Sequence, residues 1–208
     1  MTSRSLINCD CKDGFAGLED ESVDLILTDP PYLKEVWEGA YQTLATQGAR
    51  VLKPSGYLIS YCGHINLNHI MRIMDDAGLA YYWLFSQANH GAKCLVHARH
   101  IIAGFKPIII YQKPPVKPLN RITLDMITGQ RSKAYHCWQQ DIHEAIHLLR
   151  TFSKTGDLVL DPFTGSGTVP LAAKALGLSY LGFEIDPGTH AIALGRMDQE
   201  PLTWEAFV

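Results

Sequence analysis

Residues 23–28 run Val-Asp-Leu-Ile-Leu-Thr, with Asp24 as the one polar interruption before a β-branched end, and Asp29-Pro30-Pro31-Tyr32 follows at once. Such a run reads as a buried strand, and two prolines stop it abruptly. An acidic side chain, a rigid backbone and an aromatic ring are thereby presented together at a strand's carboxyl end. In open α/β sheets, ligands bind along that edge. Asp-Pro also starts ordinary turns, and four residues alone leave the turn reading open.

A second stretch narrows the choice. Leu158-Val159-Leu160 leads into Asp161-Pro162-Phe163-Thr164-Gly165-Ser166-Gly167-Thr168, a strand, a Gly-rich turn and a helix start. Gly165 and Gly167 permit positive φ and close approach of a ligand to the backbone. Free N–H groups at a helix N-terminus hold a carboxylate as readily as a phosphate. One strand later Gly182-Phe183-Glu184 ends in an acid, 23 residues after Asp161. An acid placed so commonly accepts ribose hydroxyls. No Gly-Lys-Ser/Thr is present, which excludes a P-loop, and the G-x-G-x-x-G spacing of dinucleotide enzymes is absent too. The pattern fits a nucleoside cofactor without a pyrophosphate.

The rest of the chain alternates strands with helices. Strands are expected at 5–9, ending at Asp10, and at 57–62, 80–86, 107–112, 157–160 and 179–184. Helices are expected at 35–52, 66–77, 141–153, 168–176 and from 189 onward. Residues 13–22 read as turns, and 53–56, Lys-Pro-Ser-Gly, as punctuation. Residues 87–106 carry no clear period, and 113–138, with Pro114, Pro115 and Pro118, read as mostly irregular. This order predicts an α/β fold, a doubly wound, mainly parallel sheet with helices on both faces. At 208 residues one domain is expected over 1–208, with a basic, loop-rich segment at about 87–138.

Charge is distributed unevenly. Between Asn89 and His136 lie eight Lys or Arg residues against Asp125 alone, a local +7 on a chain whose formal total is −3. A concentrated basic segment on an acidic body is an electrostatic footprint for a polyanion, or else a solvated loop region. Five scattered cysteines suit a reducing cytoplasm better than a disulfide framework. No apolar run reaches the roughly 18 residues of a membrane span. His143 and His147 share a helix face but have no suitably spaced carboxylate, so no metal site is expected. Trp138, beside the basic segment, is the tryptophan best placed to stack on a base.

Together, Asp29-Pro30-Pro31-Tyr32 early and Asp161 to Thr168 late resemble the S-adenosylmethionine-dependent DNA amino-methyltransferases, in the order where the catalytic motif precedes the cofactor motif. Ile7-Asn8-Cys9-Asp10 resembles the strand before the catalytic motif, with Cys9 where the family usually has Gly. Arg50 to Gly56 and residues 141–153 resemble the flanking connections. The resemblance implies a Rossmann-like class I methyltransferase fold and S-adenosyl-L-methionine as cofactor. It implies that Asp29 and the Pro30 carbonyl accept the two hydrogens of an exocyclic amino group, that Pro31 stiffens the turn, and that Tyr32 stacks on a flipped base. Asp161, Pro162, Phe163, Gly165, Ser166, Gly167 and Thr168 would surround the methionine part, Glu184 the ribose and Asp10 the adenine amino group. Double-stranded DNA would be the substrate, gripped by Lys93, Arg99, Lys117, Arg121, Arg131 and Lys133, with Asn89, His90, Arg99 and His100 as weaker candidates near the base.

Asp29 rather than Ser favours adenine N6 over cytosine N4, which stays as the alternative. A non-catalytic cofactor-binding subunit and an RNA methyltransferase are the alternatives of other classes. The chain departs from the family in size. Only about 113–138 is available where members usually carry a target-recognition region of many tens of residues. A homodimer and an accompanying restriction enzyme both remain open.

Overall fold

The computed structural model describes residues 4–88, 94–128 and 142–198. In chain order the elements are β1 (Arg4–Asn8), α1 (Cys11–Ala16), β2 (Val23–Thr28), α2 (Trp37–Val51), β3 (Leu52–Tyr61), α3 (Leu67–Asp76), β4 (Ala80–Ala88), β5 (Cys94–Val96), β6 (Ile101–Ala103), β7 (Phe105–Gln112), β8 (Met126–Thr128), α4 (Ile142–Phe152), β9 (Leu158–Asp161), α5 (Thr168–Ala175), β10 (Ser179–Glu184) and α6 (Pro187–Asp198). Eight strands form one sheet in the order β1-β10-β9-β2-β3-β7-β4-β8. Its pairs are parallel except where β7 lies antiparallel to β3 and to β4.

Alternation along the central strands builds two cores. Leu25, Leu27, Ile59, Tyr61, Ile108 and Ile110 pack with Leu148 and Leu149 of α4, Ala172 of α5 and Met197 of α6. Ile26, Leu58, Ile109 and Tyr111 pack on the other face with Phe15 of α1, Leu44 and Val51 of α2 and Met74 of α3. Strands buried on both sides read as continuous apolar runs, which is why 107–112 shows no polar alternation. The sheet is doubly wound and mainly parallel, as the sequence predicts.

Four details differ from the sequence reading, each for a local reason. Residues 11–16 form a helix that runs into the stretch 13–22 read as turns, because the Asp10 carboxylate accepts from the Lys12 N–H at 2.8 Å and caps its start. Lys53 to Gly56 does not separate helix from strand. It sits inside β3 where the partner register jumps from Val23–Leu52 to Leu25–Tyr57, and Ser55 takes φ 65° there. Residues 94–103 form a small hairpin, β5 with β6, around a 3-10 turn at His97–Arg99. Its strands are three residues long and leave Leu95, Ile101 and Ile102 exposed, so no burial period marks them. Finally, β8 adds to the sheet edge within the stretch read as irregular, anchored by buried Ile127.

Candidate active site

The carboxyl ends of the parallel strands meet on one edge of the sheet, and the predicted residues gather there. β2 ends in Thr28, buried, with Asp29 immediately beyond it. Asp29 is about one-fifth exposed, and both its oxygens are engaged. Oδ2 accepts from the Lys106 ammonium at 2.7 Å, and Oδ1 accepts from the Tyr32 hydroxyl. Pro30 is buried and Pro31 half-buried, while 45% of Tyr32 stays exposed. Loss of water around its hydroxyl and the neighbouring Asp29 carboxylate hold the Tyr32 phenol well above the usual range. The Lys106 ammonium lies 4.9 Å from the centre of the Tyr32 ring and 4.8 Å from that of Tyr61, near enough for a cation–π contact with each. Behind this group the Tyr41 hydroxyl donates to the Tyr61 carbonyl at 2.7 Å, tying α2 to the end of β3. Burial pushes the Cys62 thiol up to about 12, so this nearby sulfur is a neutral packing group.

On the adjoining strand, Asp161 is buried and held through one of its oxygens. Its Oδ1 accepts from the Thr28 hydroxyl at 2.6 Å and from the Phe163 N–H at 3.2 Å. Burial raises its carboxyl to about 7, against the lowering effect of those two donors, with Asp29 and Glu184 adding repulsion. The Thr28–Asp161 bond is buried and spans 133 residues of sequence, joining the strand of one motif to the strand of the other.

The turn after β9 is shaped by its two glycines. Gly165 and Gly167 have φ of 53° and 84°, and a Cβ on Gly167 would lie 3.1 Å from the Ala193 Cβ of α6. The Thr164 N–H donates to the Phe183 carbonyl at 2.9 Å, and the Gly165 N–H donates to Glu184 Oε2 at 2.8 Å. Arg196 of α6, 4% exposed, donates to the Ser166 carbonyl at 2.6 Å and reaches the Ser166 and Thr168 hydroxyls at 3.1 and 3.3 Å. β1 runs beside β10, with Asn8 opposite Glu184, so Asp10 follows on the same edge. Three carboxylates, Asp10, Asp161 and Glu184, thus follow or end three adjacent strands beside a glycine turn. That set of acceptors suits a cationic nucleoside with ribose hydroxyls and repels a phosphate-bearing one.

The fold therefore brings together Asp29, Pro30, Pro31, Tyr32, Asp161, Pro162, Phe163, Gly165, Ser166, Gly167, Thr168, Glu184 and Asp10. Of the basic candidates, Arg99 is exposed on the hairpin's turn, and Lys117 and Arg121 are exposed on the connection after β7. Arg121 shares a shallow cleft with His143, His147 and Arg150. Asn89, His90, Lys93, Arg131, Lys133 and Trp138 lie outside the described residues. Sequence reasoning missed three participants. Lys106 counts in the sequence as one more charge of the basic segment, Thr28 as a strand residue, and Arg196 as a helix residue. No local motif marks them, because each acts on a residue at least 28 positions away.

Residues 144–194 match the N6/N4-methyltransferase family, described as DNA methylase. That match spans the cofactor half, from α4 into α6. Along the whole length, the chain is 28% identical to the YubD protein of Escherichia coli (strain K12) over 209 residues, covering 92% of this chain and 88% of that one. It is 26% identical to the type II methyltransferase M.HpaI of Haemophilus parainfluenzae over 232 residues, covering 88% and 70%. The chain is thus similar to the N6/N4 DNA methylases, through its cofactor half in the family match and over most of its length in these relatives. In fold, the chain superposes on the PvuII DNA methyltransferase (cytosine-N4-specific) with a TM-score of 0.82 at 18% identity, covering 99% of this chain and 90% of that one. It superposes on the M1.HpyAVI–SAM complex with a TM-score of 0.76 at 21% identity, covering 93% and 98%. The fold is thus the class I methyltransferase fold. That M1.HpyAVI structure holds S-adenosylmethionine, and the acidic edge described above is chemically suited to the same molecule.

Proposed function

We propose that this DNA methylase transfers a methyl group from S-adenosylmethionine to the N6 amino group of adenine in duplex DNA. The observation that carries the reading is the Thr28–Asp161 hydrogen bond, which fixes the Asp29 loop against the glycine turn. An amino nitrogen is a poor nucleophile because its lone pair is delocalised into the ring. Asp29 and the Pro30 carbonyl accept its two hydrogens and draw the nitrogen toward a tetrahedral geometry, freeing that pair. The nitrogen then attacks the methyl carbon as the carbon–sulfur bond breaks, and its proton, acidic only once the new bond forms, passes to Asp29. The cofactor supplies an already activated methyl group, so the protein's contribution is chiefly positioning.

Asp161, Phe163, Gly165 and Thr168 hold the methionine part, Glu184 the ribose and Asp10 the adenine amino group. The exposed ring of Tyr32 stacks on the base once it has left the duplex, since the amino nitrogen cannot be reached while stacked. Asp29 in place of serine supports adenine over cytosine. Arg99, Lys117 and Arg121 grip phosphates, a sequence-independent contribution.

The test uses S-adenosylmethionine labelled in its methyl group, presented with mixed-sequence duplex DNA, single-stranded DNA or RNA. Label should enter duplex DNA and be lost with Asp29→Ala. Label in RNA alone, or cofactor binding without transfer to any polymer, would contradict the reading.

A further inference from the structure

Lys106 stands on β7, the one strand of the large sheet that runs antiparallel to both of its neighbours. Its beginning therefore lies beside the carboxyl end of β3, and the Lys106 ammonium reaches across to Asp29, beyond β2, from a segment 77 residues away. It is held on three sides. The Asp29 carboxylate lies at 2.7 Å, and the rings of Tyr32 and Tyr61 lie within 5 Å. A surface lysine searching for phosphates would be solvated and mobile, whereas this one has a side chain only 22% exposed. An ammonium carries three N–H donors, and Asp29 uses one of them.

We propose that Lys106 is a specificity-determining residue that reads the ring nitrogen beside the target amino group. The inference rests on the amino-methyltransferase reading above. In adenine the N6 amino donor adjoins N1, an acceptor, and in cytosine the N4 amino donor adjoins N3, also an acceptor. Guanine, thymine and uracil present a carbonyl beside a ring N–H at the corresponding positions, the opposite polarity. Asp29 and Lys106 set an acceptor next to a donor at 2.7 Å, which complements the first arrangement and opposes the second. With a base in place, Asp29 accepts from the amino group and Lys106 donates to the ring nitrogen. An oxo base would set its carbonyl against the Asp29 carboxylate and its ring N–H against the ammonium. Sites built to hydrogen-bond a substrate group reject analogues lacking it, because the buried partner is left unpaired.

Donation to the ring nitrogen also draws density from the amino group, so the role of Lys106 is selection rather than acceleration. The adjoining Asp29 carboxylate keeps the pair close to neutral and limits that cost.

The experiment is a two-by-two comparison on an oligonucleotide duplex containing the mapped target site. The target base is either natural or its deaza analogue, in which carbon replaces the ring nitrogen: 1-deazaadenine for adenine, or 3-deazacytosine if cytosine proves to be the target. The enzyme is wild type or Lys106→Met, with thermal unfolding and S-adenosylhomocysteine binding measured on both to establish folding. Wild type should lose about tenfold or more in kcat/KM on the analogue. Lys106→Met should lose a similar factor on the natural base and show no further loss on the analogue. Any effect of the analogue on base pairing is common to both enzymes and cancels in the comparison. Equal sensitivity to the analogue in both enzymes, or none in wild type, would overturn the inference while leaving methyl transfer intact. A folded wild type that methylates no natural duplex would overturn both the inference and the reading beneath it.

Discussion

Asp161 is the buried carboxyl that joins the strand of one motif to the strand of the other. It is 3% exposed, and burial raises its carboxyl to about 7 from an ordinary 3.8. A folded-state value above the unfolded one means that the native protein binds the proton more tightly. Its contribution to stability is therefore fully present below about pH 4 and is lost as pH rises to about 7. In Asp161→Asn that falling component should vanish, so urea midpoints measured from pH 5 to pH 8 should fall more steeply in wild type than in the variant. His147, lowered by burial and by Arg150, pulls the opposite way in both proteins and does not affect the difference. Thr28→Val removes the donor to Asp161 without changing side-chain size much, and should cost about 1–3 kcal/mol in the same urea titration. The penalty should be larger at pH 8, where the carboxylate, having lost the Thr28 hydroxyl and kept the Phe163 N–H, is ionised. Asp29, Tyr32, Asp161 and Glu184 were legible as candidates in the sequence because each closes or follows an apolar run at a turn. Thr28 was not, since a β-branched residue in a strand carries no sign of which neighbour its hydroxyl will meet.

At the scale of elements, α6 and the β5–β6 hairpin make separable predictions. α6 supports the glycine turn through Arg196, which donates to Ser166 and Thr168. Arg196→Met should keep much of the helix's packing but free the turn, lowering S-adenosylhomocysteine affinity by about tenfold in a calorimetric titration. That corresponds to roughly 1.4 kcal/mol. The hairpin carries Arg99 at its exposed turn. Arg99→Ala should weaken duplex binding about equally across sequences and reduce the slope of log K against log salt by about one, with cofactor affinity unchanged. An unchanged salt slope would remove Arg99 from the DNA contacts. The long elements were legible because their periods are sustained: α4 buries Leu148 and Leu149, and β7 buries everything from Pro107 to Gln112. The hairpin was not, since exposed three-residue strands owe their place to pairing rather than to burial. α1 was hidden for a related reason, its six residues depending on the Asp10 cap.

At the scale of the whole molecule, the antiparallel placement of β7 has the widest consequence. Parallel strands alone bring Asp10, Asp29, Asp161 and Glu184 to one edge and make that edge acidic. Reversing β7 delivers Lys106 from the opposite direction, so a segment that reads in sequence as a basic DNA-gripping stretch also supplies a cation to the acidic centre. Topology decides this, and one strand's direction cannot be read from its composition. The two cores flanking the sheet hold that geometry, and truncating a fully buried contact such as Leu148→Ala should cost about 2–5 kcal/mol and lower cofactor affinity with it.

In the proposed reaction Asp29 and the Pro30 carbonyl activate an adenine amino group beside a bound methyl donor. Mass spectrometry of nucleosides released from mixed-sequence duplex DNA, after incubation with the protein and S-adenosylmethionine, tests it most directly. N6-methyladenine that is absent with Asp29→Ala is the predicted result. N4-methylcytosine in its place would keep the mechanism and reverse the choice of base, and unmodified nucleosides from a protein that binds the cofactor would contradict the account.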